Sequence, residues 1–143
     1  MSDIVNYKSQ FEPTVDVFLL FKENEIYDKM KPLFDEFGYG FASAEDRMVF
    51  LDGESVTSGE QVDEDALRFI EAHEVSHILL DHSAERNDED EMDADLGAYI
   101  LLANKGFKNS IDILIDNFEG RHGVKFKKSL TQRVSDKIFW GSW

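Results

Sequence analysis

The sequence predicts an α+β fold with strands early and helices late. Short β-rich runs bounded by Gly, Pro and Asp occupy the first third of the chain, and helical spacing dominates from about residue 61. No repeat, linker or low-complexity stretch interrupts them. A chain of 143 residues with 42% apolar content and 12 Phe can build a hydrophobic core of its own, so one domain over residues 1–143 is expected. The absence of Cys rules out a disulfide framework, thiolate metal ligands and thiol catalysis.

Thr14 to Phe21 is β-rich and bounded by Pro13, which predicts a strand. Asn24 to Phe37 has helical spacing through Ile26, Tyr27, Met30, Leu33 and Phe34 and ends at Gly38, with Pro32 marking a kink or restart. Tyr39 to Ala44 and Arg47 to Leu51 read as two short strands, and residues 53–60 as a loop. From Gln61 to His82, residues Ala66, Ile70, His73, His77 and Leu80 follow helical spacing. Asn87 or Asp88 caps the next helix, which reaches Lys105 before Gly106. A further helix runs from Asn109 or Ser110 to Glu119, closed by Gly120, and a last one from about Lys127 to Phe139.

Within the 61–82 helix stands His73-Glu74-Val75-Ser76-His77, an H-E-x-x-H motif. Histidines four apart lie one helical turn from each other on one face, so both imidazoles can reach one metal ion. A hydrolytic zinc ion (Zn2+) takes three protein ligands and keeps a fourth position open. The third ligand must be a carboxylate or one of His82 and His122. Glu91, in Glu91-Met92-Asp93-Ala94-Asp95, is the best candidate, because a helical hairpin would bring it back over the histidine face. Asp95, four residues further on, would take the second ring N–H of a ligating histidine. Glu74 would act as general base toward water attacking a carbonyl, and Tyr99, His122, His82 or Tyr39 could stabilise the oxyanion. Since His82 follows His77 by five residues and Leu80 replaces the glycine, the metzincin pattern H-E-x-x-H-x-x-G-x-x-H is not met.

HEVSHILLDHSAER followed by EMDADLGAYILLANKGF resembles the gluzincin metallopeptidases, whose HExxH helix is followed by an ExxAD helix. The wording is similar to that of HtpX-like membrane peptidases, although those enzymes have transmembrane helices and a longer gap between motifs. The soluble ImmA/IrrE-type peptidases resemble the whole outline more fully. That resemblance is strong over 66–107 and looser over 39–65 and 108–135; over 1–38 it extends only to the order of elements. It implies a minimal zincin-like domain in which an edge strand, here Arg47 to Leu51, lies beside the motif helix. It further implies His73, His77 and Glu91 as zinc ligands, Glu74 as catalytic glutamate and Asp95 behind the ligands. The implied substrate is a protein, often a helix-turn-helix repressor.

The spacing departs from the family. Thirteen residues separate His77 from Glu91. A helix continuing to His82 would overshoot His77 by about 7.5 Å, and a return from Asp88 to Glu91 recovers only about 4.5 Å. That leaves Asp90 or Asp93 as alternative ligands. Asp88-x-x-Glu91 is also close to a capping box, which would employ Glu91 at a helix terminus instead.

The net charge is −15, unevenly spread: residues 1–119 carry 9 Lys and Arg against 29 Asp and Glu, residues 120–143 carry 6 against 1. Such acidity argues against nucleic-acid binding through the main body. The basic tail is expected to partner the acidic body. MSDIVNYKSQFEP has no basic stretch followed by an apolar one, and the longest apolar run is too short to span a bilayer, so a soluble cytoplasmic protein is expected. The composite expectation is a zinc-dependent endopeptidase acting on a protein or peptide. Its rival is an acidic binding protein without activity, either a pseudopeptidase or a DNA mimic.

Overall fold

A computed structural model describes residues 5–59, 61–83 and 85–140. Its first element, β1 (Val5–Lys8), is short and mostly exposed, and only its antiparallel pairing with β2 (Asp16–Leu20) marks it as a strand. Helix α1 (Tyr27–Phe37) runs through Pro32 as one element. Strands β3 (Gly40–Ser43) and β4 (Met48–Asp52) follow, with Asp46 and Arg47 in the tight turn between them. A single 3-10 turn (Gly53–Val56) leads to the two-residue strands β5 (Thr57–Ser58) and β6 (Gln61–Val62).

The main sheet has the order β1-β2-β4-β3. β4 is parallel to β2 and antiparallel to β3, so it lies inside the sheet. This corrects the expectation that 47–51 is the edge strand beside the motif helix. Val49 and Leu51 of β4 are buried and paired on both sides, whereas the small residues of β3 suit a free edge close to a helix.

Side-chain alternation along these strands sorts two cores. Val17, Leu19, Ala42, Val49 and Leu51 join the main cluster with the motif helix. Phe18, Leu20 and Phe50 turn to the opposite face and pack with Tyr27 and Phe34 of α1.

Four helices complete the fold: α2 (Glu64–Leu79), α3 (Asp88–Lys105), α4 (Lys108–His122) and α5 (Phe126–Trp140). α2 is shorter at both ends than the sequence suggests. Gln61 and Val62 are used by the small hairpin, so the helix starts after Asp63, whose carboxylate accepts from the Ala66 amide. It stops at Leu79, and Asp81 takes a left-handed conformation (φ 55°) that turns the chain away. α4 continues past Gly120 and closes at Gly123, which supplies the left-handed C-terminal conformation.

α2 is the buried axis of the molecule: every residue from Phe69 to Ile78 is shielded from solvent. Buried Glu71 on this helix accepts hydrogen bonds from the Tyr7 hydroxyl and from Ser9 Oγ, each at 2.9 Å, which ties β1 and the following loop to it. Burial pushes the Glu71 carboxyl up from its usual range against those two donors and the Gln10 amide.

α3 approaches α2 closely where Gly97 meets Ser76. A Cβ at Gly97 would stand 2.9 Å from Ser76 Oγ and 3.1 Å from Ser76 Cβ. Among the described residues no helix is long and apolar enough to cross a membrane. Gly97→Val is expected to force the two helices apart and to destabilise the fold by about 1–3 kcal/mol. Urea unfolding of the variant beside the wild type measures this.

Candidate metal centre

His73 and His77 project from the same face of α2 with ring centroids 4.8 Å apart and their Nε2 atoms 3.2 Å apart. α3 brings Glu91 over both rings: Oε2 lies 2.9 Å from His73 Nε2 and Oε1 lies 3.4 Å from His77 Nε2. Three donors bound tetrahedrally to one small divalent ion stand roughly 3.3–3.5 Å apart. One ligand atom from each of His73, His77 and Glu91 lies within 4.8 Å of the other two, so the three residues could hold a metal ion.

The spacing conflict disappears because α2 ends early. Leu79 lies two residues past His77, an overshoot of only about 3 Å, which the rise from Asp88 to Glu91 covers. Glu91 is also free of the capping role. The capping box at the start of α3 is formed one residue earlier, with Asn87 and Asp90 exchanging hydrogen bonds. That places Asp90 at the helix terminus. Asp93 stands outside the trio.

Each histidine of the trio has a partner behind it. His73 Nδ1 donates to Asp95 Oδ1 at 2.7 Å, as the i, i+4 relation to Glu91 predicts. Asp95 is fully buried, and His122 Nε2 lies 3.6 Å from its other oxygen. His77 Nδ1 meets His82 Nδ1 at 2.8 Å, and His82 Nε2 lies 3.6 Å from Asp90 Oδ1. His82 and His122 are therefore neither ligands of the trio nor groups facing the cleft.

Glu74 is 4% exposed and sits beneath the edge strand, where Gly40 makes room for it: a Cβ there would be 3.0 Å from Glu74 Cγ and 3.2 Å from its Oε2. Its Oε1 is buried without a hydrogen bond, 3.6 Å from the guanidinium of Arg86. Arg86 is itself buried and donates to the Ala42 carbonyl at 2.7 Å and to Ser83 O at 3.1 Å. The spacing rules missed this residue. Its signal was isolation: it is the one Lys or Arg between residues 69 and 104.

His73, Glu74, Glu91, Gly40 and Tyr39 line a cleft of about 500 Å³ together with Phe69, Ile70 and Arg121. Of the four oxyanion candidates, only Tyr39 lines this cleft; the Tyr99 ring packs on Phe126 in the core. Arg121 Nη2 lies 3.6 Å from Glu91 Oε2, so the basic tail does reach the acidic body at this residue.

The charges are coupled. Burial favours a neutral His73, but hydrogen bonds to Asp95 and Glu91 outweigh it and push its pKa up to about 10. Burial pushes His77 down to about 4, aided by the charged His73 beside it. Burial opposes ionisation of Glu91 too, yet the hydrogen bonds to His73 and His77 hold it well below the usual carboxylate range. Burial lifts Glu74 to about 6 against the pull of His73 and Arg86.

No protein-family model, curated protein or solved structure matches this chain.

Without metal, His73 keeps a proton that the unfolded chain would hold less tightly. Its stabilisation is complete below the ordinary histidine pKa of 6.5 and is lost as pH rises through about 10. A metal ion must displace that proton. Titrating chelator-treated protein with a divalent metal at pH 8 in weak buffer is expected to release about one proton per ion bound. Uptake without acidification would show that His73 is already neutral.

Proposed function

We propose that this chain is a zinc-dependent endopeptidase that hydrolyses peptide bonds of a protein substrate. The observation that carries this is a trio of donor atoms at metal-binding separations with the Glu74 carboxylate bordering the same cleft. The donor set of two imidazoles and one carboxylate, without thiolate, suits zinc in a hydrolytic site. When bound, such an ion acts as a Lewis acid, lowering the pKa of a coordinated water and polarising a carbonyl.

The protein's own groups then divide the work. His73, His77 and Glu91 hold the ion, and Asp95 fixes His73 in the tautomer that offers Nε2 outward. Glu74 takes the proton of the attacking water and returns it to the leaving amine nitrogen. Arg86 holds Glu74 and the edge strand in register. Tyr39 and Arg121 are the donors nearest to hand for a developing oxyanion.

Because β4 is interior, the peptide belongs along β3. The Tyr39 carbonyl accepts from the Asp52 amide, so extended alternation turns the backbone groups of Gly40 and the Ala42 amide away from β4 toward the free edge, where the Ala42 carbonyl already accepts from Arg86. A substrate segment added there as a strand would lie against Glu74.

The rival DNA mimic would need its carboxylates laid out on the surface. Asp90, Glu91 and Asp95 instead turn inward to a helix cap and the histidines. A pseudopeptidase would have no use for a buried carboxylate oxygen without a donor, which is costly to maintain.

Elemental analysis beside a fluorogenic peptide assay tests the proposal. The wild type is expected to carry stoichiometric zinc and to cleave, whereas His73→Ala and Glu91→Ala lose both properties. Glu74→Gln should keep the metal and lose roughly 10²-fold or more in kcat. Wild-type protein without stoichiometric metal, or full activity in Glu74→Gln, would overturn the proposal; iron in place of zinc would point to oxidative chemistry instead.

A further inference from the structure

His77 is completely buried, and its Nδ1 faces His82 Nδ1 at 2.8 Å. Two ring nitrogens at that distance form a hydrogen bond only if one carries the proton and the other a lone pair. For His77 to present the Nε2 lone pair to a metal, its proton must sit on Nδ1, which makes His82 Nδ1 the acceptor. The proton of His82 is then on Nε2, the nitrogen that faces Asp90 Oδ1 at 3.6 Å. Asp90 is in turn fixed through the cap of α3: its Oδ2 accepts from the Asn87 amide at 3.3 Å, and its own amide donates to Asn87 Oδ1 at 2.8 Å.

We propose that His82 is a positioning residue for the metal ligand His77, accepting the His77 Nδ1 proton at its own Nδ1. The proposal rests on the metal site of the function given above. It explains the shape of the chain after α2. The helix stops two residues past His77, Asp81 adopts a left-handed conformation unusual for a non-glycine residue, and the His82 amide donates back to the His77 carbonyl at 2.9 Å. Together these fold His82 back under the helix end, where its side chain is only 12% exposed. The two histidines are thereby backed differently: His73 by a buried carboxylate, His77 by a second imidazole.

The test is zinc affinity, measured by competition with a chromophoric chelator, on wild type, His82→Leu and His82→Asn. Leucine keeps bulk and removes the acceptor, whereas an asparagine Oδ1 occupies nearly the place of the histidine Nδ1. His82→Leu is expected to bind zinc about 10–100-fold more weakly, while His82→Asn stays within about threefold of the wild type. Thermal unfolding of the metal-free forms shows whether each variant is folded. Equal affinity in all three proteins, or equal loss in both variants, would overturn the positioning role. If Leu fails to fold, the Asn variant alone decides, because marked loss of affinity in a folded Asn variant contradicts the proposal. A wild type that binds no zinc would sink the metallopeptidase function itself, a result distinct from the others.

Discussion

The close packing of α2 against α3 is the constraint on which the cluster of His73, His77 and Glu91 depends. Ser76 and Gly97 leave no room between the helices for even a methyl group, and Ser76 turns its hydroxyl back to the Ala72 carbonyl rather than outward. Only at that separation can a carboxylate on α3 touch two imidazoles on α2 directly. A wider contact with ordinary side chains would leave Glu91 and Asp95 short of their partners. The sheet has a matching role on the other side, where β3 presents glycine to Glu74.

Such a cluster is expensive to bury. Asp95, Glu74 and the two rings lie almost wholly out of water, and the positive charges set against them are the His73 proton, Arg86 and, at the rim, Arg121. Breaking one partner of a buried pair leaves the other uncompensated, so the centre stands or falls as a unit. A divalent cation replacing the His73 proton would add positive charge where carboxylates are most crowded. The basic groups of the cluster already offset part of that carboxylate charge.

Much of this was legible in the chain. The four-residue repeat of His73 and His77, and of Glu91 and Asp95, determines which side chains share a face, and helical geometry carries over directly into contacts. The cap at Asn87 and the stop at Gly106 follow from local chemistry as well. What stayed hidden depended on partners distant in sequence. Val5–Lys8 has no apolar run of its own and becomes a strand only through β2. Arg47 to Leu51 looks like any short strand, and nothing local says that both its edges are occupied. His82 looked like a helix-end residue because the helix was extended three positions too far. Arg86 belongs to no motif, and its role arises from a loop crossing to β3.

Glu71 has a consequence for the far end of the molecule. Its two oxygens draw on Tyr7 and Ser9, sixty-odd positions upstream, while its own backbone lies two residues before His73. A protein trimmed ahead of Gln10 would leave that buried acid without its two hydroxyl donors, with only the Gln10 amide remaining, and the loss would be felt in the turn of helix that carries His73. The leading segment, although remote from the cleft, is thus a support of the helix that carries His73 and Glu74 rather than an ornament.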